Sequence, residues 1–321
     1  MSEKPPYRIR PMAELDEVED AGLTFASTFS GTGGSCLGFR WAGYRCGWAN
    51  EFVEPARECY LANFPEVEVD PRDVRSVEAG EILEACGVDV GELDVLEGSP
   101  PCQPFSTAGK RQRTWGKVRD YSDGNTQRAD DLFFEFARLL RELRPRAFTA
   151  ENVSGLVKGV ARGYFKRIMA ELADCGYRVR AKVLDAQWLG VPQRRRRVFI
   201  VGVREDLGRE PAFPKPLPYR YTVRDALPWV SRAVHDRGFG EEEERDFTDL
   251  PCPTVTIGVD SVNRYHYQVQ GPPVIRVRGP GSYSDGDEHS VDEPAPTVMA
   301  RGMGGVREYQ IGLEGTAIGR E

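Results

Sequence analysis

An α/β fold is predicted for this 321-residue chain: a doubly wound, mostly parallel sheet with a smaller irregular or β second domain. Three observations predict it. Apolar, β-rich runs alternate with amphipathic helical runs from about residue 23 to residue 203. A glycine-rich turn follows the first of those runs, and beyond Val203 the helical periodicity gives way to Pro- and Gly-rich sequence. The domains expected are an extension over 1–22, a sheet domain over 23–203 and a second domain over 204–321.

The elements follow in order. "LTFASTF" (23–29) reads as a buried strand, "SCLGFRWAG" as a helix and "YRCGWAN" as a strand. "EPARECYLANF" has helical spacing, and after a turn "LDVLEG" (93–98) is a strand. "DDLFFEFARLLREL" is a helix, "RAFTAENV" (146–153) a strand, and 160–174 a further helix. "YRVRAKVLD" and "RVFIVGV" close the series as strands. Strands separated by helices of this length specify parallel pairing, and such sheets bind ligands at the carboxyl ends of their strands. The later region carries an acidic run, "GEEEERD" (240–246), and a short repeat in which "DLPCPTV" at 249–255 returns as "DEPAPTV" at 292–298.

Composition restricts the chemistry. The seven cysteines are odd in number and none lies within four residues of another, so neither a disulfide framework nor a zinc cluster is indicated. Three histidines add little metal-binding capacity, and no metal is expected. The first twenty residues lack the apolar core of a signal peptide, and no apolar run approaches a membrane span. A reduced, cytoplasmic location follows as the expectation. The net charge of −7 argues against a general nucleic-acid coat, so any such binding must come from local basic patches.

Three stretches carry candidate chemistry. In "FSGTGGSCLGF" (29–39), Gly31, Gly33 and Gly34 allow a tight turn and a close backbone approach to a ligand. Glu51 ends the second strand, where an acid accepts hydrogen bonds from ribose hydroxyls, and Asp73, near the end of the third, is placed to hold an adenine amino group. An adenosine-containing cofactor is indicated, and the glycines do not separate a nicotinamide dinucleotide from S-adenosylmethionine. In "GSPPCQPFSTAGK" (98–110), Pro100 and Pro101 stiffen the approach to Cys102 at the end of a strand, which presents the thiol as a nucleophile. Glu151, in "AENV" at the end of the next strand, belongs on the same rim. Two basic runs complete the set. "GKRQRTWGKVRD" (109–120) carries Lys110, Arg111, Arg113, Lys117 and Arg119, and "PQRRRRVF" (192–199) puts Arg195 and Arg197 on one face. Both suit a phosphate backbone.

In that order and behind "FSGTGG", the stretches "PPCQPFSTAGK", "AENV" and "QRRRR" closely resemble the cytosine-5 DNA methyltransferases over roughly residues 22–203. The resemblance implies a Rossmann-like, S-adenosylmethionine-dependent catalytic domain followed by a target-recognition domain from residue 204. It implies that Cys102 attacks carbon 6 of a flipped-out cytosine, with Glu151, Arg195 and Arg197 completing the catalytic set and Glu151 and Arg197 steadying the ring. Phe29, Gly31, Gly33, Gly34, Glu51, Phe52, Asp73, Pro101 and Leu132 would line the cofactor site. Gln103, Ser106, Lys110, Arg111, Arg113 and Gln193 would face DNA. Double-stranded DNA is the implied partner, which would associate the protein with the nucleoid, and restriction–modification is the implied context.

Two departures from the family pattern stand out. Ser27-Thr28-Phe29 occupies the place of the usual Asp-Leu-Phe, and the chain ends at "EGTAIGRE" without the Arg-containing segment and Gly-Asn helix that members normally carry. The second departure raises the expectation of a second polypeptide that supplies those parts. The RNA-methylating branch and a catalytically incomplete DNA-binding homologue share much of the pattern. A nicotinamide-dependent oxidoreductase leaves "PCQ" and "ENV" unexplained.

Overall fold

The computed structural model describes residues 4–101, 131–159, 161–229 and 248–252 with their side chains. It describes the backbone alone for 118–120, 126–128, 232–236, 245–246, 253, 266–270 and 275–277. Two compact units divide the chain. One gathers Met1–Ile9, Asp185–Arg195 and Pro214–Glu321; the other holds Arg10–Leu184 and Arg196–Phe213.

In the larger unit the chain runs β1 (Leu23–Thr28), α1 (Gly34–Trp41), β2 (Tyr44–Asn50), α2 (Glu54–Asn63), β3 (Val69–Asp70), α3 (Ala79–Cys86) and β4 (Val95–Gly98). A hairpin of β5 (Val118–Asp120) and β6 (Thr126–Arg128) comes next, followed by α4 (Leu132–Leu143), β7 (Ala147–Val153), α5 (Ala161–Asp174) and β8 (Tyr177–Asp185). After the two-residue β9 (Gln193–Arg194), which belongs to the smaller unit, β10 (Arg196–Arg204) completes a seven-stranded sheet of order β3-β2-β1-β4-β7-β10-β8. β1 pairs in parallel with β2 and β4, and β4 with β7, as alternating strands and helices require.

One strand departs from the parallel majority, and two details, helix α3 and the end of β3, differ from the sequence reading. β10 runs antiparallel to β7, because only a 3-10 turn, Ala186–Trp188, and β9 separate β8 from β10. A parallel return needs a crossover of a dozen or more residues, usually helical. Helix α3 was not expected; its signal is a capping box in which Glu78 and Glu81 each accept from the other's backbone amide. Strand β3 ends at Asp70, so Asp73 lies three residues beyond it and caps the 3-10 turn Val74–Ser76 through the Arg75 amide.

Helix α4 buries Leu132, Phe133, Phe136, Ala137, Leu139, Leu140 and Leu143. This stripe packs with Phe148, Ala150, Val198 and Ile200 from β7 and β10 into the main core. Each fully buried Leu or Phe contributes about 2 kcal/mol relative to exposure. A second cluster joins Phe25, Cys36, Ala49, Tyr60, Phe64, Val67 and Val95.

In the smaller unit, α6 (Val223–Ala226) is capped by Thr222, whose hydroxyl accepts from the Asp225 amide. An antiparallel sheet of order β12-β11-β14-β15 is built from β11 (Arg232–Asp236), β12 (Arg245–Asp246), β14 (His266–Gln270) and β15 (Ile275–Val277). β13 (Cys252–Pro253) pairs with β9 in parallel, Cys252 opposite Gln193. The first copy of the repeat therefore reaches β9, and the second lies outside the described residues. Among the described residues no helix is long and apolar enough to cross a membrane.

Gly98 shows how tightly the end of β4 is built. A Cβ there would stand 2.4 Å from Thr28 Oγ1 and 2.8 Å from a Phe136 ring carbon. Gly98→Ala is expected to destabilise the fold by about 1–3 kcal/mol through overpacking. Urea unfolding measures this, and an unchanged midpoint would show that Phe136 yields at no cost.

Candidate active site

The carboxyl ends of β1, β2, β4 and β7 lie on one rim, and the chemistry gathers there. After β1 the chain bends sharply. Phe29 adopts φ 55°, a conformation rare outside glycine and held at a cost, and Gly31 and Gly33 follow at 57° and 89°. Gly33 has no alternative, since a Cβ would come within 2.7 Å of the Phe64 ring. At Gly31 and Gly34 a Cβ would meet nothing within 4 Å, so space is open above the loop.

Glu51 sits just past β2, nearly buried, and its two oxygens accept from the amides of Gly31 (2.7 Å) and Val53 (2.7 Å). This acid therefore fixes the glycine loop from below. Phe52, beside it, is half-buried. Asp73 pairs with Arg75 at 2.9 Å, and Arg75 also reaches Asp131. Leu132, at the start of α4, is fully buried in the main core.

On β7, Glu151 forms an ion pair with Arg197 of β10, Nε to Oε1 at 2.9 Å. The antiparallel register sets Arg197 opposite Val153 and Phe199 opposite Glu151, so the two side chains are diagonal neighbours on one face. Both are partly exposed and remain open to a ligand. Arg195 belongs to the other compact unit, as does Gln193 on β9; Arg195 is exposed and its carbonyl accepts from the Ala186 amide. Cys102, Gln103, Ser106, Lys110, Arg111, Arg113 and Lys117 lie outside the described residues. Pro101 is described and half-buried.

Sequence reasoning missed two side chains here. Asn152, buried beside Glu151, donates from Nδ2 to the Pro100 carbonyl at 2.8 Å and so ties "AENV" to the rigid approach to Cys102. Its signal was its place within that motif. The other is Glu97, in β4, only 3% exposed. Ser27 Oγ donates to Glu97 Oε2 at 2.5 Å, and Thr28 Oγ1 to the Glu97 carbonyl at 3.1 Å. Burial, then the nearby Cys36 thiol, pushes the Glu97 carboxyl up to about 8, with Ser27 and Ser35 hydrogen bonds opposing and the Glu151 charge adding. An acid at position 97 within an apolar run was the visible signal.

The family follows from the comparison of this chain with known proteins. A doubly wound sheet with a glycine loop on β1 and an acid on β2 defines the class of nucleotide-cofactor α/β domains. The C-5 cytosine-specific DNA methylase model matches residues 23–248, and the chain belongs to that family. It is 37% identical over 205 residues to the type II methyltransferase M.MthTI of Methanothermobacter thermautotrophicus, covering 64% of this chain and 56% of that protein. To M.NgoPII of Neisseria gonorrhoeae it is 35% identical over 193 residues, with 60% and 51% covered. The chain thus spans about half the length of the curated relatives it matches. A crystal structure from E. coli, described as a candidate DNA modification methyltransferase encoded within a prophage, superposes with a TM-score of 0.52. It shares 26% identity and covers 69% of this chain and 62% of that one.

The Glu97 carboxyl makes stability depend on pH. Below about pH 4.5 it is neutral in folded and unfolded chains alike. Between about 4.5 and 8 the unfolded chain releases the proton and the folded chain keeps it, so this group lowers stability as pH rises through that window. Glu97→Gln is expected to gain in urea midpoint relative to wild type across the window and to level off above about pH 8. Parallel pH profiles for the two proteins would show that the carboxyl ionises normally in the fold.

Proposed function

We propose that this chain transfers a methyl group to carbon 5 of cytosine in a specific sequence of duplex DNA, within a restriction–modification context. The observation that carries the reading is the Glu151–Arg197 pair beside the Asn152-tethered Pro100, in a chain of this family. Residues 23–203 would form the catalytic domain and 204–321 the target-recognition domain.

The described residues fit an adenosine-bearing cofactor. Space is open above Gly31 and Gly34, and Glu51 stands at the end of β2 with its oxygens already aligned by two amides. Phe29, Gly31, Gly33, Gly34, Glu51 and Phe52 would hold S-adenosylmethionine, with Asp73, Pro101 and Leu132 at its edges. When bound, the cofactor supplies an electrophilic methyl group.

The chain's own groups do the rest. The Cys102 thiolate forms a bond to carbon 6 of the base, and the pair of electrons released from the 5,6 double bond makes carbon 5 nucleophilic. Glu151 hydrogen-bonds ring nitrogen 3, and Arg197 holds oxygen 2 while keeping Glu151 oriented. Once carbon 5 carries the methyl group, its proton is lost to solvent, and the electron pair of that C–H bond restores the 5,6 double bond and expels the thiolate. A base inside a duplex cannot be reached this way, so the nucleotide must be flipped out, with Gln103, Ser106, Lys110, Arg111, Arg113 and Gln193 on the DNA side. Arg195 would meet the phosphate backbone.

Cys102→Ala is expected to abolish methyl transfer while DNA binding is retained, and duplex DNA carrying 5-fluorocytosine should trap wild type covalently. Trapping by the variant, or transfer of methyl without the cysteine, would sink the assignment. Neutralising Arg111, Arg113 and Lys117 should weaken binding to all sequences alike and flatten the salt slope by about one unit for each phosphate no longer neutralised. An altered sequence preference at an unchanged slope would mean that these residues read bases.

A further inference from the structure

Glu97 has no part in the chemistry described above, yet it is a nearly buried carboxyl on the strand that leads to Cys102. Strand register brings it beside Ser27: the two are direct partners in the β1–β4 ladder. The Ser27 hydroxyl donates to it at 2.5 Å. Ser27 lies near the end of β1, where the chain enters the glycine loop, 29–34. The hydrogen-bonded network extends to Ser30, whose hydroxyl lies 2.9 Å from Ser27 Oγ and 3.1 Å from the Ser27 carbonyl. Ser30 is itself buried, and its amide donates to the Asn50 carbonyl.

One carboxyl thus holds the strand entering the loop and, through Ser27, the loop residue Ser30. The loop needs such a restraint, because Phe29 holds a positive φ without being glycine, and a conformation of that kind persists only where its surroundings enforce it. Glu51 restrains the loop at Gly31. Its base is closed by Glu97. The sequence shows the other half of the arrangement: Ser27 stands where the family pattern has an acid, and an acid arrives instead from the neighbouring strand.

We propose that Glu97 is a positioning residue for cofactor binding, its carboxyl clasping Ser27 and, through it, Ser30 so that the glycine loop is preformed for S-adenosylmethionine. The cofactor's identity rests on the proposed function; the clasp itself does not. The groups facing Glu97 are Ser27 from β1, Ser35 and Cys36 from α1, and Glu151 from β7. A neutral carboxyl suits this place, since a second negative charge beside Glu151 would be repelled.

The test uses the full 321-residue chain without cofactor and then with it. Amide hydrogen exchange over residues 30–35 is expected to accelerate in Glu97→Leu and in Ser27→Ala and to stay at the wild-type rate in Glu97→Gln, which retains an acceptor oxygen. Calorimetric titration should show S-adenosylmethionine bound roughly three- to tenfold more weakly by the first two variants, the loss expected for one or two buried hydrogen bonds. With turnover, KM for the cofactor should rise while kcat at saturation and affinity for DNA hold, a split that simple loss of folded protein would not give. Should Glu97→Leu fail to fold, Ser27→Ala and Glu97→Gln carry the test. Unchanged exchange and affinity in folded Glu97→Leu, or in Ser27→Ala where Leu does not fold, would overturn the clasp. Accelerated exchange in a chain whose wild type binds no S-adenosylmethionine would overturn the cofactor reading and leave the clasp standing.

Discussion

Three carboxyl groups stand at the rim where β1, β2, β4 and β7 end, and the site depends on how each is compensated, above all Glu97 and Glu151, whose charges oppose one another. Each is compensated differently. Glu51 takes two backbone amides, which suit an ionised carboxylate and cost no side chain. Glu151 takes the guanidinium of Arg197. Glu97, more deeply buried than either, takes the Ser27 hydroxyl and keeps its proton to a higher pH than the usual carboxylate. A rim with three fixed negative charges would repel a phosphate backbone and an anionic nucleophile alike. The arrangement keeps one acid neutral, one held by amides and one matched to a cation.

Parallel register is what creates the crowding. Ser27, Glu97 and Thr149 lie side by side across β1, β4 and β7, as do Thr28, Gly98 and Ala150. Residues that are widely separated in sequence thereby become neighbours at a spacing set by the ladder. The same register explains why Gly98 must be glycine: Thr28 on one side and Phe136 from α4 leave no room for a methyl group. The turn toward Cys102 leaves β4 from that constricted point, and Asn152 secures it from β7 through the Pro100 carbonyl.

Much of this was legible in the sequence because it rests on local signals. β2 spans the seven residues of "YRCGWAN", and α2, α4 and α5 begin within two residues of the periodicity that announces them. The glycine loop, Glu51 and Glu151 were found because turn chemistry and strand ends are readable one segment at a time. Glu97 was not, since its meaning comes from Ser27, some seventy residues distant. Its burial opposed the ordinary expectation that an acid faces water. Helix α3 escaped because an eight-residue helix with glutamate as its N-cap lacks the usual Ser, Thr, Asp or Asn signal.

The antiparallel β10, set against the parallel majority, decides more than topology. Arg197 opens its strand and Glu151 stands near the end of β7. Had β10 run parallel to β7, its first residues would lie at the opposite edge of the sheet, about a strand length from Glu151, roughly 20 Å at the usual rise per residue. The pairing of Arg197 with Glu151 at 2.9 Å therefore requires the reversal. An all-parallel sheet could not hold Arg197 and Glu151 on one rim. The short connection between β8 and β10, too brief for a crossover helix, was the local sign of that reversal. Direction of one strand thus decides whether a basic run serves the surface or orients the acid on β7.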